Sequence, residues 1–417
     1  MRPTDTPASL ADWLARIEGM HPAEIELGLD RLRAVAGRLA VETLSVPVIT
    51  VAGTNGKGST LRLMTALARD AGHRVCLYTS PHLIDFNERV MLPDGLASDA
   101  QLCAAFEQVE QARGEVALTY FEFTTLAALW LFAGSDADLV LLEVGLGGRL
   151  DAVNVVDPDV AVVTSVGLDH QDWLGDTREA ICAEKCGIAR PGRPLVYGEQ
   201  DWPENLSELV RDYQANGFLA GREFAVQAGE GVLAFADGEQ LRCPEHVVLG
   251  ADNLATACQA LKLAGVSVTQ AAVDAAGSLS LMGRCEYRLL QGVDCWFDVG
   301  HNLPAVSRFR TLLPECRGQR HLVFGMMADK PLAEVAACFC GEQSRWFLCA
   351  PAMPRAATVA QLTAVLPAGE SQQVCDSVAE ALSCALAAAN PGDQVVVFGS
   401  FYTVAEAWQV TKEGQSE

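Results

Sequence analysis

The chain has 417 residues, too many for one typical hydrophobic core, so we expect two domains. Half of the residues are apolar and a fifth are charged, and no stretch has the length of a membrane span or the layout of a signal peptide. The formal net charge of −23 argues against nucleic acids and anionic membranes as partners. Fourteen cysteines without C-x-x-C spacing predict reduced, mostly buried thiols and a cytoplasmic protein.

The N-terminal segment, residues 9–40, has the apolar spacing of helices. Apolar residues recur at i, i+3, i+4 and i+7 from Leu10 and again from Leu29. Residues 25–31 lie between these two patterns and predict a turn followed by a helix start. The apolar residues of this segment could serve only to pack the core, or the segment could also take part in binding.

Residues 46–60 predict a phosphate-binding loop. They indicate a buried strand over 46–52, a glycine-rich turn over 53–58 and a helix that starts at Ser59. Inward backbone N–H groups, a helix N-terminus and the charge of Lys57 all suit a polyphosphate. The general pattern G-x-x-x-x-G-K-[ST] is not met, since Val51 replaces its first glycine and Gly58 follows the lysine. The alternative is an ordinary glycine turn between strand and helix.

A strand over 74–78 follows the next helix, and this β-α-β order predicts a parallel sheet whose ligands bind beyond the carboxyl ends of its strands. Helices are predicted over 99–113 and 122–133. The apolar strand 138–143 that follows ends at Glu143, which resembles an acid that holds Mg²⁺. His170 follows the strand 159–165 at the same edge, which favours a metal or phosphate role over a structural one. Lys185 lies on a mainly apolar helix, where it could pair with Glu184 or Glu179 or serve the site.

The chain changes character in its second half. Residues 232–241 predict a hairpin with a turn at Asp237 and Gly238. After a break at 276–282, a second α/β pattern has strands at 287–291, 293–299, 321–325, 345–349 and 394–398. We therefore predict domains over 1–280 and 281–417, joined by a hinge and separated by a cleft that closes over substrates and excludes water.

A phosphate loop, an acid at a strand end and a nearby histidine together suggest phosphoryl transfer with one or two Mg²⁺ ions. Their motifs resemble one family as a set. The set comprises Gly53-Thr-Asn-Gly-Lys-Gly-Ser59, Thr79-Ser-Pro-His-Leu83, Asn87-Glu-Arg89, Glu143-Val-Gly-Leu-Gly-Gly-Arg149 and Asp298-x-x-His-Asn302. It is similar to the folate branch of the Mur ligase superfamily, the folylpolyglutamate synthases, which in many bacteria are also dihydrofolate synthases.

The resemblance implies an α/β fold, with an N-terminal P-loop-type ATPase domain built on a mostly parallel sheet and a smaller C-terminal Rossmann-like domain. It implies that ATP phosphorylates a carboxylate of dihydropteroate or of a reduced folate, and that the amine of L-glutamate then attacks the acyl phosphate. ATP and Mg²⁺ at two sites are the implied cofactors, with a monovalent cation as a further ion. Folylpolyglutamate synthesis alone and a nucleotide-binding regulatory module without ligase chemistry are the rival interpretations. A monomer is expected.

The resemblance also implies site residues. The triphosphate would be held by Thr54, Asn55, Gly56, Lys57, Gly58 and Ser59, and metal by Ser80, Glu143, His170 and Lys185 as a carbamate. Asn253 would contact adenine, Arg284 the phosphates and Asp298 the ribose, and His301 would lie near the transferred phosphate. Lys57, Lys185, His170 and His301 are the implied catalytic residues. The pteroate stretches would be Ile25, Glu26 and Leu27; Thr119, Tyr120, Phe121 and Glu122; and Leu150, Asp151 and Ala152, where an aromatic ring and a carboxylate suit a flat pterin.

The chain departs from the family pattern at two places. Val153 stands where the family usually has threonine, and the residues before Asn253 follow the pattern only loosely.

Overall fold

The computed structural model describes residues 7–21, 26–227, 229–341 and 344–413. The chain divides into two compact units, Met1–Leu279 and Ser280–Glu417. Within the described ranges, every helix is too short or too polar to cross a lipid bilayer. All fourteen cysteines are free thiols and most are buried, as the sequence predicts.

The first unit is built on a mostly parallel sheet with strand order β4-β3-β2-β5-β1-β6-β7-β8. Its strands are β1 (Val48–Ala52), β2 (Val75–Tyr78), β3 (Val90–Leu92), β4 (Gly95–Leu96), β5 (Leu139–Glu143), β6 (Val160–Val163), β7 (Pro194–Tyr197) and β8 (Asn216–Leu219). At the β4 edge, β3 pairs antiparallel to β2, and β4 pairs antiparallel to β3. β1, β5 and β6 are buried along their whole length, which explains why their sequences are mostly apolar.

Helices cover this sheet and supply the rest of the core. They are α1 (Leu10–Glu18), α2 (Asp30–Leu39), α3 (Lys57–Asp70), α4 (Asp99–Arg113), α5 (Tyr120–Ala133), α6 (Gln171–Leu174), α7 (Arg178–Cys186), α8 (Leu206–Asp212), α9 (Ala251–Leu263) and α10 (Gln270–Ala276). Trp13 on α1 packs against Phe106 on α4 and Phe123 on α5. The helical prediction for residues 9–40 is therefore confirmed as two helices.

Two predicted helix starts are wrong by two residues. α3 begins at Lys57 and not at Ser59, because Gly56 has the left-handed conformation (φ 86°) from which the chain enters the helix directly. α5 begins at Tyr120 and not at 122, because Thr119 and Glu122 form a capping box. In both cases the cap residue, and not the apolar pattern, decides where the helix begins.

The predicted hairpin is confirmed. β10 (Val232–Ala234) and β11 (Gln240–Arg242) pair antiparallel, and Gly238 in the turn has φ 85°. β9 (Ala225–Gln227) joins them on the other side of β10.

The second unit holds a sheet of order β12-β13-β17-β14-β15-β16, in which β12 pairs antiparallel to β13 and the other pairs are parallel. Its elements are β12 (Glu286–Leu290), β13 (Val293–Asp298), α11 (Leu303–Leu312), β14 (Arg320–Phe324), α12 (Leu332–Ala337), β15 (Ser344–Leu348), α13 (Val359–Ala364), β16 (Ser371–Val374), α14 (Val378–Ala388), β17 (Gln394–Phe398) and α15 (Phe401–Glu413). The sequence misses only β16 among these strands, since this edge strand is mostly exposed and lacks an apolar pattern.

Candidate active site

The glycine-rich loop after β1 is tied to the end of the neighbouring strand β6. The Thr54 amide donates to the Ser165 carbonyl (2.9 Å), and the Asn55 amide donates to the Ser165 hydroxyl (2.8 Å). The Thr164 hydroxyl donates to the Asn55 carbonyl (2.6 Å). These contacts hold the loop in place without a ligand, and they come from residues for which the sequence pattern gave no signal.

Gly56 lies against Asn253 at the start of α9. A Cβ atom on Gly56 would lie 2.6 Å from Asn253 Oδ1, and the Thr60 hydroxyl donates to the same oxygen (3.3 Å). The Asn253 amide group donates to the Leu249 carbonyl (2.6 Å). Asn253 is thus placed beside the phosphate loop, and its contact with adenine stays a prediction.

Three of the six predicted phosphate ligands lie in the first turn of α3. Lys57, Gly58 and Ser59 lie at the helix N-terminus, where backbone N–H groups without helical partners favour an anion. The Lys57 ammonium donates to the Gly53 carbonyl (2.9 Å), so its side chain folds back over the loop.

Glu143 and Ser80 lie together at the ends of adjacent parallel strands. Residues of β5 and β2 pair in register up to Leu142 and Tyr78, so the residues that follow are neighbours. The buried Glu143 carboxylate accepts hydrogen bonds from the Thr79 hydroxyl and the Ser80 amide, the second at 3.2 Å. A carboxylate and the nearby Ser80 hydroxyl are oxygen donors of the type that Mg²⁺ prefers.

Lys185 on α7 is buried, and its burial lowers the pKa of its amine to about 7. The charge of Lys57 contributes to this lowering, whereas Asp169 and Asp151 oppose it. These charges place Lys185 beside the phosphate loop. Among the described residues, Lys185 forms no ion pair with Glu184 or Glu179, so the ion-pair alternative is wrong.

Glu184 instead pairs with Arg149 (2.8 Å). The glycine-rich loop that follows β5 packs tightly on the end of α7: a Cβ atom on Gly148 would lie 2.8 Å from the Glu184 carbonyl oxygen. The loop therefore needs glycine at this position, and its close approach fixes the turn that carries Lys185.

His170 lies in the loop after β6, at the same edge of the sheet. It has the left-handed conformation (φ 51°), precedes α6 and is partly exposed, with its Nε2 atom 3.9 Å from an oxygen of Asp169. The described residues contain no cluster of three or more His, Cys, Asp or Glu side chains arranged to hold a metal ion. The predicted set has only one histidine and one carboxylate, and it is complete only with the Ser80 hydroxyl and a modified Lys185.

The predicted pteroate residues meet around the N-terminus of α5. Arg31 donates to the Glu26 carbonyl (2.7 Å), forms an ion pair with the Glu26 carboxylate and contacts the buried Glu122 (3.0 Å). Arg31 was not predicted, and its position five residues after Glu26 gave no recognisable motif. Leu27 is half-buried, and Ile25 lies outside the described residues.

Phe121 and Asp151 border the same region. The Phe121 ring packs on Tyr78 (5.9 Å between centroids), and a Cβ atom on Gly145 would lie 2.6 Å from the Phe121 ring. Asp151 accepts the Leu146 amide (2.8 Å), and burial raises its pKa to about 7. The glycine loop after β5 thus lies between the Phe121 ring and Lys185. Its next residues, Leu150 and Ala152, are half-buried and buried.

The second unit brings its own predicted residues together. The buried Asp298 at the end of β13 accepts amides from Cys285 (2.8 Å) and Gly300 (2.7 Å), and burial raises its pKa although the charges of Arg284 and His301 oppose this. The Arg284 guanidinium lies over the Phe401 ring (5.1 Å), and His301 Nδ1 donates to the Val299 carbonyl (3.0 Å). Their roles toward ATP stay predictions.

Comparison with known proteins identifies the class to which this fold and site belong. Residues 51–196 match the family model "Mur ligase middle domain", and residues 283–401 match "Mur ligase, glutamate ligase domain". The chain therefore contains two domains of the Mur ligase superfamily.

Relatives place it within that class. The chain is 41% identical, over 98% of its own length and 97% of the relative, to the dihydrofolate synthase/folylpolyglutamate synthase of Escherichia coli. It is similar to the structure of E. coli FolC in complex with DHPP and ADP (39% identity, TM-score 0.91, 99% and 100% of the two chains). It is also similar to the bifunctional enzyme of Yersinia pestis complexed with AMPPNP and Mn ion (36% identity, TM-score 0.90, 99% and 100% of the two chains). The chain belongs to the dihydrofolate synthase/folylpolyglutamate synthase family, which confirms the predicted resemblance and fold class.

Proposed function

We propose that the protein is an ATP-dependent ligase that joins L-glutamate to dihydropteroate and to the γ-carboxyl group of reduced folates. The observation that carries this proposal is the buried Lys185 amine beside Lys57, at the sheet edge that also bears Ser80 and Glu143. A protein that only binds a nucleotide needs the phosphate loop and an acid, but not a second buried lysine. Relatives with ADP, AMPPNP and Mn bound support ATP and a divalent metal as ligands.

The phosphate loop binds and orients ATP in this proposal. The amides of Thr54 to Ser59 and the ammonium of Lys57 surround the phosphates, so that the terminal phosphoryl group faces the acceptor carboxylate. An oxygen of that carboxylate attacks the phosphorus, ADP leaves and an acyl phosphate forms. The amine of L-glutamate then attacks the acyl carbon, phosphate leaves and one proton is released.

Ser80, Glu143, His170 and the Lys185 carbamate would hold divalent metal at two sites, with a monovalent cation as a further ion. The metal, when bound, screens the charge of the phosphates. Lys185 becomes a suitable ligand when its neutral amine attacks CO₂: an N–C bond forms, the nitrogen loses one proton and the side chain becomes an anion. The ammonium of Lys57 attracts this anion, whereas it would repel the protonated form of Lys185.

The acceptor site we propose lies around Glu26, Glu122 and Phe121. The pterin stacks near the Phe121 ring, and the Glu26 and Glu122 carboxylates accept hydrogen bonds from its amino group. We also propose that Arg284, Asp298 and His301 contact ATP. We further propose that the protein is a cytoplasmic monomer.

Phosphate release tests the proposed function. Purified protein with ATP, Mg²⁺ and L-glutamate should release phosphate when dihydropteroate is added and, separately, when a reduced folate is added. Release with the folate alone would leave folylpolyglutamate synthesis as the only activity. No release with either acceptor would reject the ligase and favour a nucleotide-binding regulatory module.

A further inference from the structure

The turn between β2 and β3 carries a histidine to which the motif analysis gave no role. His82 lies two residues after Ser80, in the Thr79–Leu83 motif at the carboxyl end of β2. The Ser80 amide donates to Glu143 (3.2 Å), so this turn begins at the predicted metal site.

The backbone of this turn is rigidly held. The Glu88 carboxylate accepts three successive amides, from Leu83 (2.7 Å), Ile84 (2.8 Å) and Asp85 (2.8 Å). The Thr79 amide donates to the Arg89 carbonyl (3.0 Å) and closes the turn at its base. Because the main chain is fixed on both sides, the position of the His82 ring is set by the protein before any ligand binds.

Arg89 fixes the tautomer of the ring. Its Nε atom donates to His82 Nδ1 (2.8 Å). A guanidinium can only donate, so Nδ1 must accept with its lone pair and the hydrogen of the neutral ring is on Nε2. Arg89 is itself buried, with its guanidinium 5.6 Å from the ring centres of both Phe86 and Tyr120. Among the described residues, His82 Nε2 makes no hydrogen bond, and the side chain is partly exposed.

The aromatic contacts connect this turn to the proposed acceptor site. Tyr120, which Arg89 contacts, belongs to the stretch Thr119–Glu122, and its ring lies 6.3 Å from Phe86. Phe121 packs on Tyr78, the residue just before the turn. The turn that carries His82 therefore contacts residues proposed for the pterin and begins at residues proposed for the metal. The acceptor molecule has to extend from the pterin site to the metal site, because its carboxylate must reach the phosphoryl group while its pterin remains bound. The carboxylate would then pass close to this turn.

We propose that His82 donates its Nε2–H to the acceptor carboxylate that becomes phosphorylated, and that Arg89 is the positioning residue that holds this tautomer. The inference rests on the proposed function. The donor is neutral, so it orients the carboxylate without forming a tight ion pair that would lower its reactivity. No proton is transferred by His82 in either step; the same N–H can follow the oxygen as negative charge develops on it during attack by glutamate.

Two substitutions of His82 test its two ring nitrogens separately: Nε2, the proposed donor to the acceptor carboxylate, and Nδ1, which accepts from Arg89. In His82→Gln the amide nitrogen replaces Nε2, whereas in His82→Asn the carbonyl oxygen replaces Nδ1 and still accepts from Arg89. We expect H82N to lower kcat/KM for the acceptor about 10- to 100-fold, the range for a lost hydrogen bond to a charged group, and H82Q to recover most of it. The KM for ATP should stay unchanged in both variants, with thermal unfolding as the control for folding.

A purely structural role predicts the opposite order, with H82N like the wild type and H82Q impaired, and that result would overturn the proposal. A raised KM for ATP or for L-glutamate, with that for the acceptor unchanged, would also overturn it, because Nε2–H would then bind a phosphate or the glutamate carboxylate.

A measurement on the wild-type protein avoids any folding defect. In protein labelled with ¹⁵N-histidine, dihydropteroate without ATP should shift the Nε2–H resonance of His82, and an analogue that lacks the carboxyl group should not. Equal shifts, or none, would reject the contact. If the wild type also releases no phosphate with either acceptor, the proposed function fails together with this inference; phosphate release with an unshifted resonance rejects only His82.

Discussion

Lys185 is a buried amine whose pKa is lowered to about 7, first by burial and then by the nearby charge of Lys57. The residue pattern around Lys185 also allows an ion pair with Glu184 or Glu179. Arg149 binds Glu184 instead, and the Gly148 backbone lies against the end of α7. The site therefore has a buried amine that is neutral above about pH 7, which is the form that reacts with CO₂.

Replacing Lys185 tests the carbamate directly. We expect Lys185→Ala to reduce turnover on the order of 100-fold, a loss typical of disturbed metal sites. In CO₂-depleted buffer the wild type should lose activity and regain it with bicarbonate, more fully at about pH 8 than at about pH 6, because protonation of the amine below its lowered pKa blocks the attack on CO₂.

Lys262 provides the matched control, since it pairs with Asp237 on the hairpin and lies outside the candidate site. Lys262→Ala should leave both turnover and its bicarbonate response unchanged. A Lys185→Ala enzyme with normal turnover would eliminate the carbamate role.

Helix α3 shows how one backbone conformation determines an element. Gly56 adopts φ 86° and allows the helix to begin at Lys57. Lys57 and the first backbone amides of the helix therefore both lie at the helix N-terminus. The apolar pattern of the helix does not contain this information, because a cap depends on φ and ψ at one residue.

A pair of glycine substitutions separates backbone strain from the close approach of Asn253. Gly56→Ala places a Cβ atom 2.6 Å from Asn253 Oδ1 in addition to the left-handed penalty, whereas Gly72→Ala has a similar φ of 90° and no atom within 4 Å. Gly72→Ala should lower the free energy of unfolding by about 1–2 kcal/mol and leave the KM for ATP unchanged. Gly56→Ala should cost more stability and raise the KM for ATP.

Urea unfolding and steady-state kinetics measure both effects. Equal stability losses with equal KM values would show that Asn253 moves aside without consequence for the loop.

The molecule as a whole carries a net charge of −23 and must bind an anion. In the proposed complex its cations act locally, because Lys57 and the N-terminus of α3 would contact the phosphates. Salt screens distant charges more strongly than charges in contact, since the Debye length is about 8 Å at physiological ionic strength.

We therefore expect association of ATP to become faster as KCl rises from about 20 to about 200 mM, because screening weakens the long-range repulsion more than the local attraction. Stopped-flow binding of a fluorescent ATP analogue at constant Mg²⁺ measures this rate. Lys57→Ala should weaken binding but keep the sign of the salt effect. If the association rate instead falls as salt rises, the cations near the phosphate loop would attract ATP over long distances more strongly than the net negative charge repels it.

The sequence by itself determined the order of the elements and the family. Mostly apolar segments predicted β1, β5 and β17, and motifs at strand ends predicted Lys57, Glu143 and His170, because parallel strands place their carboxyl ends at one edge. Tertiary structure alone decided which side chains meet: Ser165 with the phosphate loop, Arg31 with Glu122, Arg89 with His82 and Arg149 with Glu184. Each of these pairs joins residues from different turns or elements. A local pattern cannot predict such pairs, because they exist only when the chain has packed and each buried polar group has found its partner.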